Sequence, residues 1–107
     1  MINSRQKGAR YERHIAKVLR EHGFKAERGQ QHAGGQDSPD VKHNLSGIHF
    51  EAKHVEKLNI WEALKQAERD AGTNMPVVVF KKNRTKDYVA LSLEDFIELY
   101  KGFMKKN

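Results

Sequence analysis

Residues 39–53 read PDVKHNLSGIHFEAK, and this stretch decides the fold of the chain. The pattern predicts two strands, one over residues 40–43 and one over residues 47–55, joined by a short polar turn. If the two strands pair as a hairpin, Asp40 lies beside Glu51 on the same face of the sheet. The stretch therefore predicts a pair of carboxylates carried on neighbouring strands.

Apolar and polar residues alternate along the second of these strands. Successive side chains of a strand point to opposite faces. One face therefore fits a hydrophobic core, and the other sets a carboxylate beside an ammonium group. The core face carries Ile48, Phe50 and Ala52, and the polar face carries His49, Glu51 and Lys53.

A helix is predicted before this stretch, over residues 4–22, with Ser4 as its N-cap and Gly23 at its end. At about 100° per residue, four apolar residues fall on one stripe of the helix. They are Tyr11, Ile15, Val18 and Leu19. Glu12 lies near the angle of this stripe, so we expect it to point inward while the other charged residues of the helix point outward.

The rest of the chain continues the alternation of strands and helices. The further predicted elements are a short strand over 24–28, a loop over 29–39, a helix over 59–71 with Asn59 as its N-cap, strands over 75–80 and 87–91, and a last helix capped by Ser92. This order predicts an α/β domain in which helices flank one mixed central sheet. We expect a single domain over residues 1–107.

The composition narrows the class of protein. Charged residues make up 32% of the chain. Because no cysteine is present, we expect neither a disulfide framework nor a thiolate metal site. No apolar run is long enough for a membrane helix, and the first residues lack the pattern of a signal peptide, so an intracellular, cytoplasmic location is expected. The net charge of +6 favours a polyanionic partner such as nucleic acid.

The carboxylate pair has a specific chemistry. Asp40 and Glu51 are suited to bind a hard divalent cation such as Mg²⁺, and the backbone carbonyl of Ala52 is a candidate third ligand. Such an ion polarises a phosphodiester and activates water for hydrolysis. Lys53, two residues after Glu51, can orient that water and offset developing charge. Glu12 can reach the same site as a water-mediated or second-metal ligand.

The series Gly8-x-x-x-Glu12, Pro39-Asp40 and Glu51-x-Lys53 resembles the PD-(D/E)XK nuclease superfamily. It looks most like the archaeal Holliday-junction resolvases and small phage-type endonucleases. The resemblance implies a restriction-endonuclease-like αβββαβ core and a Mg²⁺-dependent endonuclease, with Mn²⁺ as a substitute ion. It also implies branched or structured DNA as substrate, often a homodimer, and a bacterial, archaeal or phage-encoded protein.

Carried over by position, the resemblance makes Asp40, Glu51 and Glu12 metal ligands and Lys53 the catalytic lysine. Gln66 matches a glutamine found in some members, although its helical angle lies off the apolar stripe. Six residues are candidates for contacting DNA. They are Arg5, Lys7, Arg28, Gln30, His49 and Gln66.

Two alternatives remain open from the sequence. Glu51 and Lys53 also fit a solvated strand face that carries an ordinary ion pair. The chain could then be a non-catalytic nucleic-acid-binding module, or an accessory subunit, that retains the nuclease fold. A magnesium site and a loss of activity on changing Asp40 separate the enzyme from these alternatives.

Overall fold

The computed structural model describes residues 3–29 and 40–105. The elements follow the predicted order, with three helices and five strands in these ranges. They are α1 (Ser4–Glu21), β1 (Ala26–Arg28), β2 (Val41–His43), β3 (Ile48–His54), α2 (Ile60–Ala71), β4 (Met75–Lys81), β5 (Tyr88–Ala90) and α3 (Leu93–Lys105). The predicted loop over residues 29–39 lies outside the described residues except for Gly29. None of the described helices is both long and apolar enough to cross a membrane.

The central sheet is mixed and has the order β3-β4-β5. β3 runs parallel to β4, with Glu51 opposite Val78, and β5 runs antiparallel to β4. The helix α2 supplies the crossover that a parallel pair requires. Within the described residues β3 is therefore an edge strand, and one of its edges is open to the segment around Asp40.

Helices cover both faces of this sheet. On one face, α1 packs Tyr11 and Ile15 against Phe50 of β3 and against alternate valines of β4. On the other face, the small residues of α2 pack against Val78. The run Val77-Val78-Val79 is buried throughout, as expected for a strand covered on both faces. The inward position predicted for Glu12 is also confirmed, because this side chain is buried among the core residues of α1.

The predicted hairpin between residues 40–43 and 47–55 is wrong. β2 pairs antiparallel with β1, with Arg28 opposite Val41, and the two form a separate two-stranded sheet. Asn44 explains the difference, because its backbone N–H donates to the Lys25 carbonyl and its side chain accepts from the Lys25 N–H. These bonds continue the pairing of β1 with β2 by one residue pair beyond Ala26 and His43. The residues after β2 are therefore tied to β1 and not to β3.

The helix ends follow the expected capping chemistry with one shift. α1 is capped by Asn3 rather than by Ser4. The Asn3 side chain accepts from the Gln6 N–H, and the Gln6 side chain accepts in return from the Asn3 N–H. Both residue types are good N-caps, and the reciprocal bond with Gln6 selects Asn3. Asn59 and Ser92 accept from the N–H groups of Glu62 and Asp95, as predicted.

α3 differs from the other helices because none of its residues is buried. Its apolar residues lie on one side at helical spacing, and its charged residues lie on the other. The apolar side consists of Leu93, Phe96, Ile97, Leu99, Tyr100, Phe103 and Met104. These residues are between 38% and 70% exposed, so this face lies open among the described residues of one chain.

A buried polar link joins α1 to the segment before β5. The buried Tyr11 hydroxyl donates to Asp87 at 2.9 Å, and the His14 ring lies 2.9 Å from the other carboxylate oxygen of Asp87. Burial raises the pKa of Asp87, but the hydrogen bonds from His14 and Tyr11 outweigh this and hold it below its usual value. The link therefore stabilises the fold most strongly while Asp87 is ionised.

We predict that Asp87→Ala lowers the free energy of unfolding by about 1–3 kcal/mol, because it leaves the Tyr11 hydroxyl buried without its acceptor. Denaturant titration at pH 7 measures the loss. Asp87→Asn is the matched control, since it retains an acceptor oxygen, and it should cost less. In the unaltered chain the part of this contribution that depends on the Asp87 charge is fully present above pH 4 and is lost as the pH falls through the lowered pKa of Asp87. An Asp87→Ala variant as stable as the unaltered chain would contradict the role of this link.

Candidate active site

The site forms where the side chain of Asp40 meets the open edge of β3. The Ala52 N–H donates to Asp40 Oδ2 at 3.0 Å, while the Asp40 carbonyl accepts from Gly29. Asp40 therefore extends the β1–β2 ribbon through its backbone and reaches β3 through its side chain. In an extended strand the N–H and C=O of one residue point to the same edge. The Ala52 carbonyl consequently faces the side of β3 on which Asp40 lies.

Three carboxyl groups converge at this edge. Glu51 is 3% exposed and Glu12 is 7% exposed. The charges of both carboxyl groups raise the pKa of Asp40. Burial and then the proximity of Glu51 raise the pKa of Asp40 to about 7, although the Ala52 N–H bond opposes the shift. The predicted pair is therefore brought together even though the predicted hairpin does not form.

Lys53 lies on the same face of β3 as Glu51, as the two-residue period predicts. Its ammonium nitrogen is 3.7 Å from Glu51 Oε2 and donates to Gln66 Oε1 at 3.0 Å. Gln66 projects from α2, which packs against this face of the sheet. Its helical angle lies off the apolar stripe, as the sequence indicates, but its side chain still reaches Lys53. The glutamine position suggested by resemblance thus lies at the site.

Glu12 enters from α1 and is paired with Arg28. Arg28 Nε donates to Glu12 Oε1 at 2.9 Å, and a third of the Arg28 side chain is exposed. This ion pair offsets part of the negative charge in the site. Sequence periodicity indicated that Glu12 points inward but gave no signal for its partner, because the contact depends on how β1 packs against α1.

These groups line one cavity of about 400 Å³. Arg5, one of the proposed DNA contacts, lies in its wall together with Arg28 and Gln66. Gly8 and Ala9 form part of the same wall, and a Cβ added to Gly8 would meet no atom within 4 Å. Small residues on this side of α1 leave room beside the carboxylates for a bulky substrate.

Other predicted site residues lie elsewhere. Lys7 lies outside the cavity wall, with its ammonium nitrogen 4.0 Å from Glu56 Oε2. His49 also lies outside the wall but is buried next to the site, with Nε2 at 3.7 Å from Glu51 Oε1. Gln30 falls outside the described residues. The cavity adds His54 and Val55, at the end of β3, which the sequence pattern did not single out.

The arrangement suits a hard divalent cation. Two carboxyl groups and a backbone carbonyl are oxygen ligands of the kind that Mg²⁺ and Mn²⁺ accept. Burial and then the charge of Glu51 raise the pKa of Asp40, and a bound cation would favour its ionised form. The residues present at the open edge of β3 therefore fit such an ion.

We predict that Asp40→Asn stabilises the protein at pH 8 in EDTA by on the order of 1–3 kcal/mol. The pKa of Asp40 is about 7 when folded and 3.8 ordinarily, so the folded chain holds an extra proton between these pH values. Stability of the unaltered chain should therefore fall as the pH rises through this window. Thermal unfolding from pH 4 to 8 measures the effect. Glu68→Gln, on the exposed side of α2, is the control and should leave the pH dependence of stability unchanged. If Asp40→Asn also leaves it unchanged, burial and the Glu51 charge do not raise the pKa of Asp40, and the prediction is wrong.

Comparisons with known proteins identify the family of this chain and a solved structure with a similar fold. A family model described as "Phage putative PDDEXK endonuclease" matches residues 3–107. The solved structure of Hjc from Archaeoglobus fulgidus, a Holliday junction resolvase from an archaeal hyperthermophile, is similar at 25% identity with a TM-score of 0.53. That match covers 79% of this chain and 72% of the Hjc chain. Comparison with curated protein sequences gives no match. The expected fold class is confirmed, and the chain belongs to the phage PDDEXK endonuclease family.

Proposed function

We propose that this chain is a Mg²⁺-dependent DNA endonuclease that hydrolyses phosphodiester bonds at the Asp40–Glu51 site. The observation that carries the proposal is the meeting of these two carboxyl groups at the open edge of β3, with Lys53 beside them. The buried carboxyls oppose one another electrostatically, which is costly unless they have a positively charged ligand. Membership of an endonuclease family makes a divalent cation the fitting ligand.

Asp40, Glu51 and the Ala52 carbonyl would hold the ion, with Glu12 near enough to contribute through water. A bound divalent cation supplies Lewis-acid polarisation of the phosphodiester and of the attacking water. Lys53 orients that water and offsets the negative charge that builds up on the phosphate. Gln66 accepts from the ammonium group of Lys53 and so holds it on the Glu51 face.

The polyanionic substrate fits the charges around the cavity. Arg5 and the exposed part of Arg28 lie in its wall, where each can pair with a phosphate oxygen. The chain carries a net charge of +6, which favours DNA near this surface and makes binding sensitive to salt. Lys7, Gln30 and His49 remain candidate contacts. Action on DNA implies the intracellular location expected from the sequence.

Branched DNA is the proposed preferred substrate. The support is the similarity to Hjc, a Holliday junction resolvase. Within the described residues the eight elements belong to one α/β unit, and none of them stands apart as a sequence-reading module. Recognition of DNA shape requires only backbone contacts placed at the right spacing, which a small basic domain can supply.

We predict that the purified protein cleaves a four-way junction in Mg²⁺ and is inactive in EDTA. Asp40→Asn should lower the cleavage rate by at least about 100-fold, and Lys53→Met by on the order of 100-fold, since each removes a group that stabilises the transition state. Asp40→Asn should bind DNA as tightly or more tightly, because it removes a negative charge next to phosphate. Gel-based cleavage and binding assays measure both quantities.

Lys65→Met is the matched control for Lys53→Met. Lys65 is exposed on α2, and the change removes the same charge away from the cavity. Linear duplex of the same sequence tests the preference for branched DNA. Cleavage that persists in EDTA, or cleavage unaffected by Asp40→Asn, would refute the proposed site. Salt-sensitive DNA binding with no cleavage in Mg²⁺ or in Mn²⁺ would instead support a non-catalytic binding module.

A homodimer is the proposed assembly, with the uncovered face of α3 as its interface. At roughly 100 Å² for each half-exposed large side chain, the seven apolar residues of this face expose roughly 700 Å². This is close to the area of about 800 Å² that each partner contributes to a standard protein interface. The occupant we propose is the α3 face of a second copy.

The charges of α3 favour a self-complementary, antiparallel contact. Its first half carries Glu94, Asp95 and Glu98, and its second half carries Lys101 and Lys105. When two copies pair antiparallel about a two-fold axis, the acidic half of one helix meets the basic half of the other. The helix dipoles are then also opposed, which adds to the attraction.

We predict that the protein sediments with twice the 12.4 kDa mass of one chain and that Phe96→Glu yields monomers. The reason is that a charge placed in the apolar face would have to be buried without a partner. Lys101→Glu should weaken the dimer, because it sets acidic residues opposite one another. Lys65→Glu, the same charge change on α2, is the control. A monomer at all concentrations, or a dimer insensitive to Phe96→Glu, would rule out this interface.

A further inference from the structure

A second group of metal-ligating side chains lies on the α2 side of Glu51. One ligand atom from each of His49, Glu51 and Asp70 lies within 4.8 Å of the other two. An ion with bonds of about 2.0–2.2 Å holds its ligands roughly 3–4.4 Å apart. The three side chains therefore need to move by only a few tenths of an ångström to share an ion. Asp70 is exposed near the end of α2, so an ion can reach this point from solvent.

The imidazole of His49 supplies an independent indication of a ligand. Its side chain is only 10% exposed, and no residue in the described ranges forms a hydrogen bond with Nε2. The nearest opposite charge is Glu51 Oε1, at 3.7 Å, which is too far for a hydrogen bond. Leaving a buried polar atom without a partner is costly, and such atoms in folded proteins call for an explanation. A metal ion between His49 and the two carboxylates would satisfy Nε2.

We propose that His49, Glu51 and Asp70 form a second divalent-cation site that is selective for Mn²⁺ over Mg²⁺. The donor set contains one imidazole nitrogen and two carboxylate oxygens. Imidazole is a ligand for first-row transition metals, whereas Mg²⁺ prefers oxygen ligands and retains its water. The site at Asp40 offers only oxygen and accepts either ion. The histidine is therefore what makes the second site discriminate between the two metals.

The two sites share Glu51 and lie on different sides of it. The Asp40–Ala52 group lies at the open edge of β3, whereas His49 and Asp70 lie toward α2. A carboxylate has two oxygens and can contact an ion on each side. Glu51 would then be held in place by the second ion while it binds the first. The inference builds on the proposed function through this shared residue, but binding at the second site can be measured without DNA.

Mn²⁺ binding to the DNA-free protein tests the proposal. Titration followed by electron paramagnetic resonance counts the bound ions, and electron spin-echo modulation detects coordination by a histidine nitrogen. The unaltered chain should bind one more ion than His49→Ala and should show the nitrogen modulation, which His49→Ala lacks. Excess Mg²⁺ should not displace the nitrogen-coordinated Mn²⁺. His22→Ala, at the exposed end of α1, is the control and should retain both features.

Asp70→Asn provides a second test that does not disturb the interior, because Asp70 is exposed. It should weaken the nitrogen-coordinated ion by at least about tenfold. Asp40→Asn should abolish cleavage and leave the nitrogen modulation in place, which separates the two sites. If the modulation is missing from the unaltered chain, or persists in His49→Ala, the second site is refuted. Absence of cleavage with the modulation intact would refute the proposed function and leave the second site standing.

Discussion

The bond from the Ala52 N–H to the Asp40 carboxylate determines the rest of the site. β3 has a neighbour on one edge only within the described residues, since β2 pairs with β1. The Asp40 side chain takes up a backbone donor that a further strand would otherwise have used. This bond fixes a carboxylate beside Glu51 and leaves the Ala52 carbonyl at the same edge. The edge that the sheet leaves open thereby becomes the proposed binding site.

Local periodicity in the sequence predicted the groups on β3 correctly. The alternation along residues 48–53 sets Glu51 and Lys53 on one face whatever the strand pairs with, because the period of two belongs to the strand itself. The inward position of Glu12 follows in the same way from the period of α1. Strand pairing is not local in this sense. The two bonds of Asn44 to Lys25 join residues 19 apart, and the sequence pattern gave no sign of them.

Contacts between elements mark the limit of what could be predicted. The Lys53–Gln66 bond and the Arg28–Glu12 ion pair each depend on how two elements pack, which hydrophobic periodicity alone does not specify. The packing of α3 is a second feature that the sequence pattern does not specify. The sequence correctly predicted a last helix, but its apolar pattern is identical whether that side covers the chain's own core or a second molecule. Only the three-dimensional arrangement shows that none of its residues is buried among the described part of the chain.

The charge distribution explains why a nuclease of this size can tolerate so many buried carboxyl groups. Glu12 is compensated by Arg28 and Glu51 lies near Lys53, whereas burial and the charge of Glu51 raise the pKa of Asp40. The negative potential is thus left at Asp40, where we propose that a divalent cation binds, and the ionised carboxylate is costly there without such a ligand. A core that neutralised every carboxylate would be more stable but would offer the proposed ion nothing to bind. The cost of burying Asp40 beside Glu51 is therefore what the proposed chemistry requires of this edge of the sheet.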